Sequence, residues 1–425
     1  MEELTEFRAR VHRGTHEVGG SCIELACDGS RVVLDVGRPL SAGFDDEVQL
    51  PDVPGLADGT DGGLLGVVVS HAHLDHYGLI DQVSPTVPVY AGAAASAIAE
   101  AARFFSPATP ALRTTGSLVH EVPMELGPFT VTPLLIDHSA FDAYALIVDA
   151  GSRRLMYTGD FRGHGRKSGA FERLLRHPPE HVDTLVMEGT QVGGSAVGDA
   201  RNGGASERDV EDALAATARG TAGLVMVAGS AQNVDRLVTC FKAARRAGRV
   251  LLVDLYGVAI ARATGRATIP GPGYDGLAVW VPRRQRVLVK EAGQFERVRD
   301  VRGIRVFPEE IAAHPERYLI YTTSSSVAEL VAAGALTQAG VVVWSMWDGY
   351  LDGPSGQRLR TLLGGRSIPM VHHHTSGHAT VADLRRFVAA IKPGSIVPIH
   401  TEGADRFADL FPAVQVRGDG EWWSV

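Results

Sequence analysis

The chain has 425 residues, which exceeds the size of one ordinary hydrophobic core and therefore predicts two domains. An apolar fraction of 45% is typical of a folded globular protein, and a formal net charge of −8 excludes a generally basic surface but not a local basic channel. Three cysteines are too few for a disulfide framework. Because the sequence also has no signal-peptide core and no apolar run of membrane length, we expect a cytoplasmic protein without a membrane partner.

Apolar runs of strand length, separated by tight turns, dominate the first half of the chain. They predict strands at residues 21–26, 31–36, 67–70, 129–135, 144–148 and 154–158. One alanine-rich stretch, residues 91–105, predicts a helix. This alternation is typical of an α/β fold whose hairpins can form two sheets.

The composition changes after Glu188. Residues 193–205 are rich in Gly, Ala and Asn and predict a linker, after which Ser206 opens a helix with Asp209 placed as in a capping box. Strand and helix patterns then alternate, at residues 224–228, 233–247, 250–254, 319–322 and 340–344. The alternation predicts βαβ crossovers, and therefore a second α/β unit with parallel strands.

The most informative segment is the motif HAHLDH at residues 71–76, which follows an apolar strand. It contains four metal-ligand side chains, those of His71, His73, Asp75 and His76. A lone histidine is usually structural, but so dense a cluster is hard to explain without a metal ion. Nitrogen and oxygen ligands with no thiolate nearby favour zinc, and less specifically manganese or iron.

Three further side chains of ligand type, His138, Asp160 and His400, follow predicted strands. Strand ends are where loops converge and sites form. The full set fits two metal ions about 3.5–4 Å apart, an arrangement that activates water for hydrolysis. We assign His71, His73 and His138 to one ion and Asp75, His76 and His400 to the other, with Asp160 as the bridge.

In combination, these motifs resemble those of β-CASP nucleases of the metallo-β-lactamase fold, most closely the ribonuclease J branch. Residues 71–76, His138 and Asp160 match the metal-ligand motifs, and Glu188, His378 and His400 match three further motifs of β-CASP nucleases. The resemblance implies an α/β architecture, an αββα sandwich interrupted by an inserted α/β domain. It places the sandwich in residues 1–195 and 367–425, the insert in residues 196–366, and the active site in the cleft between the two.

The same resemblance implies a catalytic group of Asp75, Glu188 and His378, in which Glu188 and His378 relay a proton to the leaving oxygen. The less favoured alternative for Glu188 is a buried, satisfied carboxylate at a strand end. Ribonuclease J proteins normally carry a further C-terminal domain, whereas this sequence stops at Val425. The resemblance therefore leaves the oligomeric state and the exact substrate open.

A segment of four residues also resembles the phosphate-gripping segment of that branch; it consists of His374, Thr375, Ser376 and Gly377. Small hydroxyl side chains and a glycine leave backbone N–H groups exposed. A helix predicted from about Val381 would place its positive N-terminus nearby, where an anion is favoured. We expect this segment to bind a substrate phosphate.

Two basic groups could attract phosphates. Arg162, Arg166 and Lys167 closely follow Asp160, and we expect them to contact nucleic acid. A second basic run, between residues 283 and 305, is better explained as ordinary solvated charge.

The sequence thus predicts a dinuclear-zinc nuclease, with Mn²⁺ as an alternative metal, that hydrolyses phosphodiester bonds of single-stranded RNA with a metal-activated hydroxide. One alternative is a metallohydrolase of the same fold acting on single-stranded DNA or a small phosphodiester. A less favoured alternative is a non-catalytic subunit that binds nucleic acid. The sequence does not distinguish RNA from DNA, or internal cleavage from removal of nucleotides at a 5′ end.

Overall fold

The computed structural model describes residues 6–43, 46–192 and 205–425, and the chain divides into two compact units. Unit 1 consists of Met1–Val197 and Gly377–Val425, and unit 2 of Gly198–Ser376. The predicted linker, except for Ala205, lies outside the described residues.

The strands, in chain order, are β1 (Arg8–Arg13), β2 (Cys22–Cys27), β3 (Ser30–Leu34), β4 (Leu64–Val68), β5 (Val89–Gly92), β6 (Gly116–Leu118), β7 (Met124–Leu126), β8 (Phe129–Leu135), β9 (Tyr144–Ala150), β10 (Arg153–Tyr157), β11 (Thr184–Glu188), β12 (Val225–Ala228), β13 (Val250–Val253), β14 (Leu277–Trp280), β15 (Arg305–Val306), β16 (Tyr318–Thr322), β17 (Val341–Trp344), β18 (Met370–His372), β19 (Ser395–Ile399) and β20 (Trp422–Ser424).

The α-helices of the described residues are α1 (Leu74–Tyr77), α2 (Ala93–Phe105), α3 (Ser168–Arg176), α4 (Glu207–Gly220), α5 (Val234–Arg246), α6 (Leu255–Ala263), α7 (Arg283–Glu291), α8 (Glu296–Arg299), α9 (Pro308–Ala313), α10 (Val327–Ala332), α11 (Pro354–Gly364), α12 (Val381–Ile391) and α13 (Phe407–Leu410). None of these helices is both long enough and apolar enough to span a membrane.

Unit 1 is built on two sheets, with strand orders β20-β1-β2-β3-β4-β5-β6 and β19-β11-β10-β9-β8-β7. Successive residues of β3 and β4 pack on opposite faces, as the two-residue period of a strand requires. Val32 and Val68 join a core shared with the second sheet, whereas Val33 and Val67 join a core that includes residues of α2. The outer face of the second sheet packs against α3 and α12. These four layers confirm the predicted αββα sandwich.

Unit 2 contains one sheet of order β15-β14-β13-β16-β12-β17-β18, in which the strand pairings are parallel. The predicted capping box is present at the start of α4, because the Ser206 side chain accepts a hydrogen bond from the backbone of Asp209. The sheet ends with β18, which pairs with β17. For this reason unit 2 extends to Ser376, ten residues beyond the predicted boundary at residue 366.

Candidate metal centre

The HAHLDH motif occupies the loop after β4 and the short helix α1, which begins at Leu74. Backbone hydrogen bonds from neighbouring segments hold this loop: Ser21 N–H donates to Asp75 O at 3.1 Å, Val36 N–H to His76 O at 2.8 Å and Arg38 N–H to Leu74 O at 2.9 Å. Main-chain hydrogen bonds therefore hold the motif in place, and the side chains of its candidate ligands do not take part in these bonds.

The first group of candidate donors consists of His71, His73 and His138, whose ligand atoms all lie within 4.8 Å of one another. The Nε2 atom of His138 is 3.1 Å from Nδ1 of His73. A hydrogen bond on the opposite side of the ring orients His138, since its Nδ1 lies 2.7 Å from the carbonyl oxygen of Gly377. A histidine held in this way presents Nε2 to a metal.

The second group consists of Asp75, His76, Asp160 and His400, which satisfy the same distance limit. His400 Nε2 is 3.1 Å from Asp75 Oδ2, and His76 Nε2 is 3.2 Å from Asp160 Oδ2. Asp160 also reaches the first group, because its Oδ2 lies 3.8 Å from His71 Nε2 and 4.0 Å from His138 Nε2. Its carboxylate therefore stands between the two groups.

Several donor atoms in this cluster are buried without a hydrogen bond of acceptable geometry, namely Nε2 of His71 and of His76 and both carboxylate oxygens of Asp160. Polar atoms in a protein interior normally have partners, and a bound ion is a recognised explanation when no protein group supplies one. The donor chemistry, imidazole nitrogen and carboxylate oxygen, is that of zinc and related divalent ions. The residues present thus fit a metal centre.

The electrostatics differ between the donors of the cluster. Burial by itself lowers the pKa of His76, but the Asp160 and Asp35 carboxylates outweigh it and raise that pKa well above the usual range, so this imidazole must lose a proton to bind a metal. Burial, followed by repulsion from neighbouring imidazoles, holds the pKa of His71 and of His138 well below the usual range. Burial by itself raises the pKa of Asp160, but attraction to His400, His76 and His378 outweighs it and lowers that pKa well below the usual range. Neutral imidazoles and ionised carboxylates are the forms in which these side chains bind metals.

The structure adds a supporting residue that the sequence prediction missed, Asp35, which follows β3. Its Oδ2 accepts hydrogen bonds from His76 Nδ1, Tyr157 Oη and Ser70 Oγ, each at 2.8 Å. Asp35 therefore orients His76 so that Nε2 faces Asp160. The available signal was an aspartate directly after the apolar run of β3, at the end where loops converge.

Glu188 and His378, the predicted relay pair, lie together beside Asp160. His378 Nδ1 is 3.3 Å from Glu188 Oε2 and 3.6 Å from Asp160 Oδ2. Backbone N–H groups of Phe161 and Ala379 donate to Glu188 Oε1 and fix the carboxylate. Burial alone lowers the pKa of His378, but the two carboxylates outweigh it and raise the pKa to about 9.

Thr190 is a second residue that the sequence prediction missed. Its Oγ1 is 2.9 Å from His400 Nδ1 and 3.1 Å from His378 Nδ1, so one hydroxyl contacts both imidazoles. It lies two residues after Glu188, and its backbone N–H donates to Glu188 Oε2 at 3.2 Å. A hydroxyl residue in a turn carries no distinctive sequence signal, which explains why it was missed.

The predicted phosphate-binding segment is divided by the unit boundary, with residues 374–376 in unit 2 and Gly377 in unit 1. Thr375 is buried, and its hydroxyl donates to the backbone oxygen of Ala205. Ser376 is half-buried. The helix predicted from Val381 begins there, with the Thr380 side chain accepting from Asp383 N–H as its cap. Phosphate binding by the segment stays a prediction.

The three basic residues near Asp160 differ in their placement. Arg162 is fully buried, and its Nε lies 3.7 Å from Asp137 Oδ1. Burial does not favour contact of this guanidinium with a phosphate, and the role of Arg162 in binding nucleic acid stays a prediction. Lys167 is half-buried and donates from Nζ to the carbonyl oxygen of His138 at 2.8 Å. Arg166 is half-buried too, and its role stays a prediction.

Comparison with known proteins finds matches to two family models, in separate parts of the chain. Residues 42–227 match the family model described as a β-lactamase superfamily domain, and residues 370–415 match that of a Zn-dependent metallo-hydrolase RNA specificity domain. This chain is therefore similar to β-lactamase superfamily domains in the first region and to Zn-dependent metallo-hydrolases in the second. The first match contains His71, His73, Asp75, His76, His138, Asp160 and Glu188, and the second contains His378 and His400.

This chain is only distantly similar in sequence to its relatives, but the similarity extends over most of its length. It is 25% identical to ribonuclease J of Sinorhizobium meliloti, over 84% of this chain and 61% of the relative, so it spans less than two thirds of that protein. It is 23% identical to ribonuclease J of Pyrococcus abyssi, over 94% of this chain and 91% of the relative. A crystal structure of a protein of unknown function from Enterococcus faecalis V583 shares the fold over 99% of this chain, with a TM-score of 0.77 and 19% identity, and covers 100% of that chain.

Proposed function

We propose that this protein is a metal-dependent ribonuclease that hydrolyses phosphodiester bonds with two zinc ions, or with Mn²⁺ in their place. The observation that carries the proposal is the pair of buried donor groups that share Asp160. The RNA specificity domain matched at residues 370–415, and the relatives named ribonuclease J, support RNA as the substrate.

In this proposal, His71, His73 and His138 would hold one ion, Asp75, His76 and His400 would hold the other, and Asp160 would be available to both. When bound, such a pair of ions supplies a nucleophile at neutral pH and stabilises the charge that develops on the phosphate. Asp75 contributes as a ligand whose carboxylate, with its pKa lowered by His400 and His76 against the effect of burial, stays ionised. Asp35 and Thr190 position imidazoles of the second group.

The leaving oxygen requires a proton, and His378 is the group that we assign to supply it. Burial by itself lowers the pKa of this imidazole, but the Glu188 carboxylate beside it raises the pKa and so favours the protonated form. Glu188 orients it through Nδ1, so that the opposite ring nitrogen, Nε2, is the atom assigned to the transfer. Backbone donors at Phe161, Thr190 and Ala379 hold the Glu188 carboxylate in place.

The decisive experiment replaces His76 with alanine and measures cleavage of a labelled single-stranded RNA together with metal content. We expect cleavage to fall by at least about a hundredfold and the bound metal to decrease, because His76 is a proposed ligand in the fully buried second group. The exposed His314 provides the matched control, since its replacement by alanine should change neither quantity. Full activity of a folded His76→Ala variant would contradict the mechanism.

A substrate panel separates the proposed function from its alternatives. RNAs carrying a 5′-phosphate, 5′-triphosphate or 5′-hydroxyl, single-stranded DNA and dinucleotides are compared in time courses with the metal-loaded protein. We expect RNA to be cleaved fastest, and a preference for a 5′-phosphate would support phosphate binding by residues 374–377. Faster hydrolysis of DNA or dinucleotides would favour the alternative metallohydrolase, and binding without any cleavage would favour a non-catalytic subunit.

A further inference from the structure

Two aromatic side chains lie exposed and in contact with each other after strand β17. Trp347 is 41% exposed and Tyr350 is 58% exposed. Their ring centroids are 5.5 Å apart with the rings nearly perpendicular. Exposing large aromatic surface to water is unfavourable. Two exposed aromatic rings in contact with each other therefore indicate a binding site more often than a single exposed apolar residue does.

The local backbone holds this pair in place. A side-chain carbon added at Gly349 would lie 2.2 Å from the Trp347 ring, so the indole rests directly against the glycine backbone. The carbonyl oxygen of Trp347 accepts a hydrogen bond from the Trp344 indole at 3.3 Å, and Leu351 anchors the end of the turn in the core of unit 2. The aromatic surface is thus preorganised, which lowers the entropy cost of binding a planar ligand.

The pair is tied to the predicted phosphate-binding segment within unit 2. Strand β18 pairs in parallel with β17, which sets His372 beside Trp344. His372 Nε2 lies 3.0 Å from the backbone oxygen of Met346, and its Nδ1 lies 3.4 Å from Asp348. The rings of His372 and His374 are stacked with centroids 6.0 Å apart. His372 therefore contacts the residues on either side of Trp347, and its ring stacks on that of His374, the first residue of the predicted phosphate-binding segment.

The chemistry of this surface suits a nucleobase better than a protein partner. Charged side chains lie near the aromatic pair along the chain: Asp348 is 3.4 Å from His372, and Asp352 is 3.5 Å from Arg360. An apolar patch of two rings is much smaller than a stable protein interface. Bases of single strands stack on exposed aromatic rings with about 1–3 kcal/mol per base, independently of sequence.

We propose that Trp347 and Tyr350 form a stacking site for a nucleobase of single-stranded RNA, adjacent to a nucleotide whose phosphate contacts residues 374–376. This inference rests on the proposed function and names a substrate contact that the metal centre does not provide. It assigns the site to unit 2, whereas the candidate metal ligands all belong to unit 1.

The test measures binding of a cleavage-resistant phosphorothioate RNA to the metal-loaded protein by fluorescence anisotropy. Because a stacking contact of about 1–3 kcal/mol corresponds to roughly 5- to 150-fold in affinity, we expect Trp347→Ala to weaken binding at least about fivefold. Trp347→Phe should retain most of the affinity, and Tyr350→Ala should weaken binding in the same direction. The matched control is Phe295→Ala, an aromatic that is 60% exposed in the same unit, which should bind RNA as the unchanged protein does.

Abasic substitutions, one position at a time, distinguish stacking from a structural effect. At the position whose base stacks on Trp347, removing the base should weaken binding to the unchanged protein. The same removal should not weaken binding to Trp347→Ala, because that variant has already lost the stacking contact. Equal affinity of Trp347→Ala and the unchanged protein, or a loss that no abasic position reproduces, would overturn the stacking site. Cleavage by the unchanged protein is recorded in parallel: normal cleavage with no stacking effect refutes this inference alone, whereas no RNA binding and no cleavage refute the proposed function as well.

Discussion

At the scale of single residues, Asp160 is the side chain on which the arrangement of the centre depends. Both of its carboxylate oxygens are buried without a hydrogen bond, although imidazoles approach from several sides. Removing water from a carboxylate is unfavourable unless positive charge replaces the lost hydration. A divalent ion on either side of Asp160 would supply that charge, which is why we place this residue between the two ions.

Glu24 shows the opposite arrangement, a buried carboxylate whose partners are all protein side chains. Arg10, His12 and Arg31 approach its oxygens at 2.6–2.8 Å, and its side chain is only 1% exposed. Burial by itself raises the pKa of Glu24, but the hydrogen bonds from these partners outweigh it and lower the pKa to about 2. The ionised form is thus stabilised by folding.

This gives a prediction for the pH dependence of stability. A carboxylate whose pKa is lowered by folding contributes its full stabilisation at pH values above its pKa in the unfolded chain, which is near 4.5. This contribution is lost as the pH falls from about 4.5 towards about 2, the pKa of Glu24 in the folded protein. Glu24→Gln should therefore reduce the free energy of unfolding by about 2 kcal/mol at pH 7, with a smaller difference at pH 4 and below.

Urea denaturation across this pH range measures the effect of Glu24→Gln. Glu100, which is 70% exposed and pairs with Arg103 on the surface, supplies the control, because Glu100→Gln should change stability by less than about 0.5 kcal/mol at either pH. A difference between Glu24→Gln and the unchanged protein that does not depend on pH would rule out the electrostatic explanation.

At the scale of elements, the candidate centre depends on the segment after β3 packing against the HAHLDH loop after β4. These strands are parallel neighbours, so both segments leave the same edge of the sheet. The contact is made by backbone atoms, and at Gly37 it leaves no room for a side chain: a carbon added there would lie 1.8 Å from the Asp75 carbonyl oxygen.

Replacing Gly37 with alanine should therefore displace the loop that carries Asp75 and His76. Because the added carbon meets backbone rather than a flexible side chain, we expect a loss of more than about 3 kcal/mol in unfolding free energy and a lower metal content. Gly364, at the end of α11, has no atom within 4 Å of an added carbon, so Gly364→Ala is the matched control and should be neutral or slightly stabilising. Normal metal content in Gly37→Ala would show that this contact does not shape the centre.

At the scale of the whole molecule, the two units have separate hydrophobic cores. The cores of unit 1 lie between its sheets and under the helices on its outer faces, whereas unit 2 has a core of its own around its parallel sheet. All the candidate ligands belong to unit 1. Metal binding should therefore stabilise one unit and not the other.

We expect chelation of the metal to lower the unfolding temperature of unit 1 while that of unit 2 stays unchanged. An ion present at a hundred times its dissociation constant stabilises the folded state by about 2.7 kcal/mol, and its removal also leaves buried carboxylates unpaired. Hydrogen exchange followed by peptide mass spectrometry assigns the loss of protection to each unit. Re-addition of Zn²⁺ should reverse the change, whereas equal destabilisation of both units, or of neither, would contradict it.

The sequence by itself determined those features that depend on neighbouring residues. The HAHLDH motif and the polar residues after apolar runs identified the candidate ligands, and the spacing of Ser206 and Asp209 predicted the cap of α4. These signals are local, because strand patterns, caps and strand-end side chains are all recorded within a few positions of the chain.

Only the tertiary structure decided the features that depend on distant segments. Three of these features join residues or strands that are separated along the chain. They are the burial of Arg162 beside Asp137, the hydrogen bond between Asp35 and His76, and the pairing of β18 with β17. The same holds for the contacts of His372 with Met346 and Asp348 on either side of Trp347, which required β17 and β18 to be neighbours. Which strands become neighbours, and which side chains lose water as a result, is set by packing of the complete chain, so no local pattern could contain it.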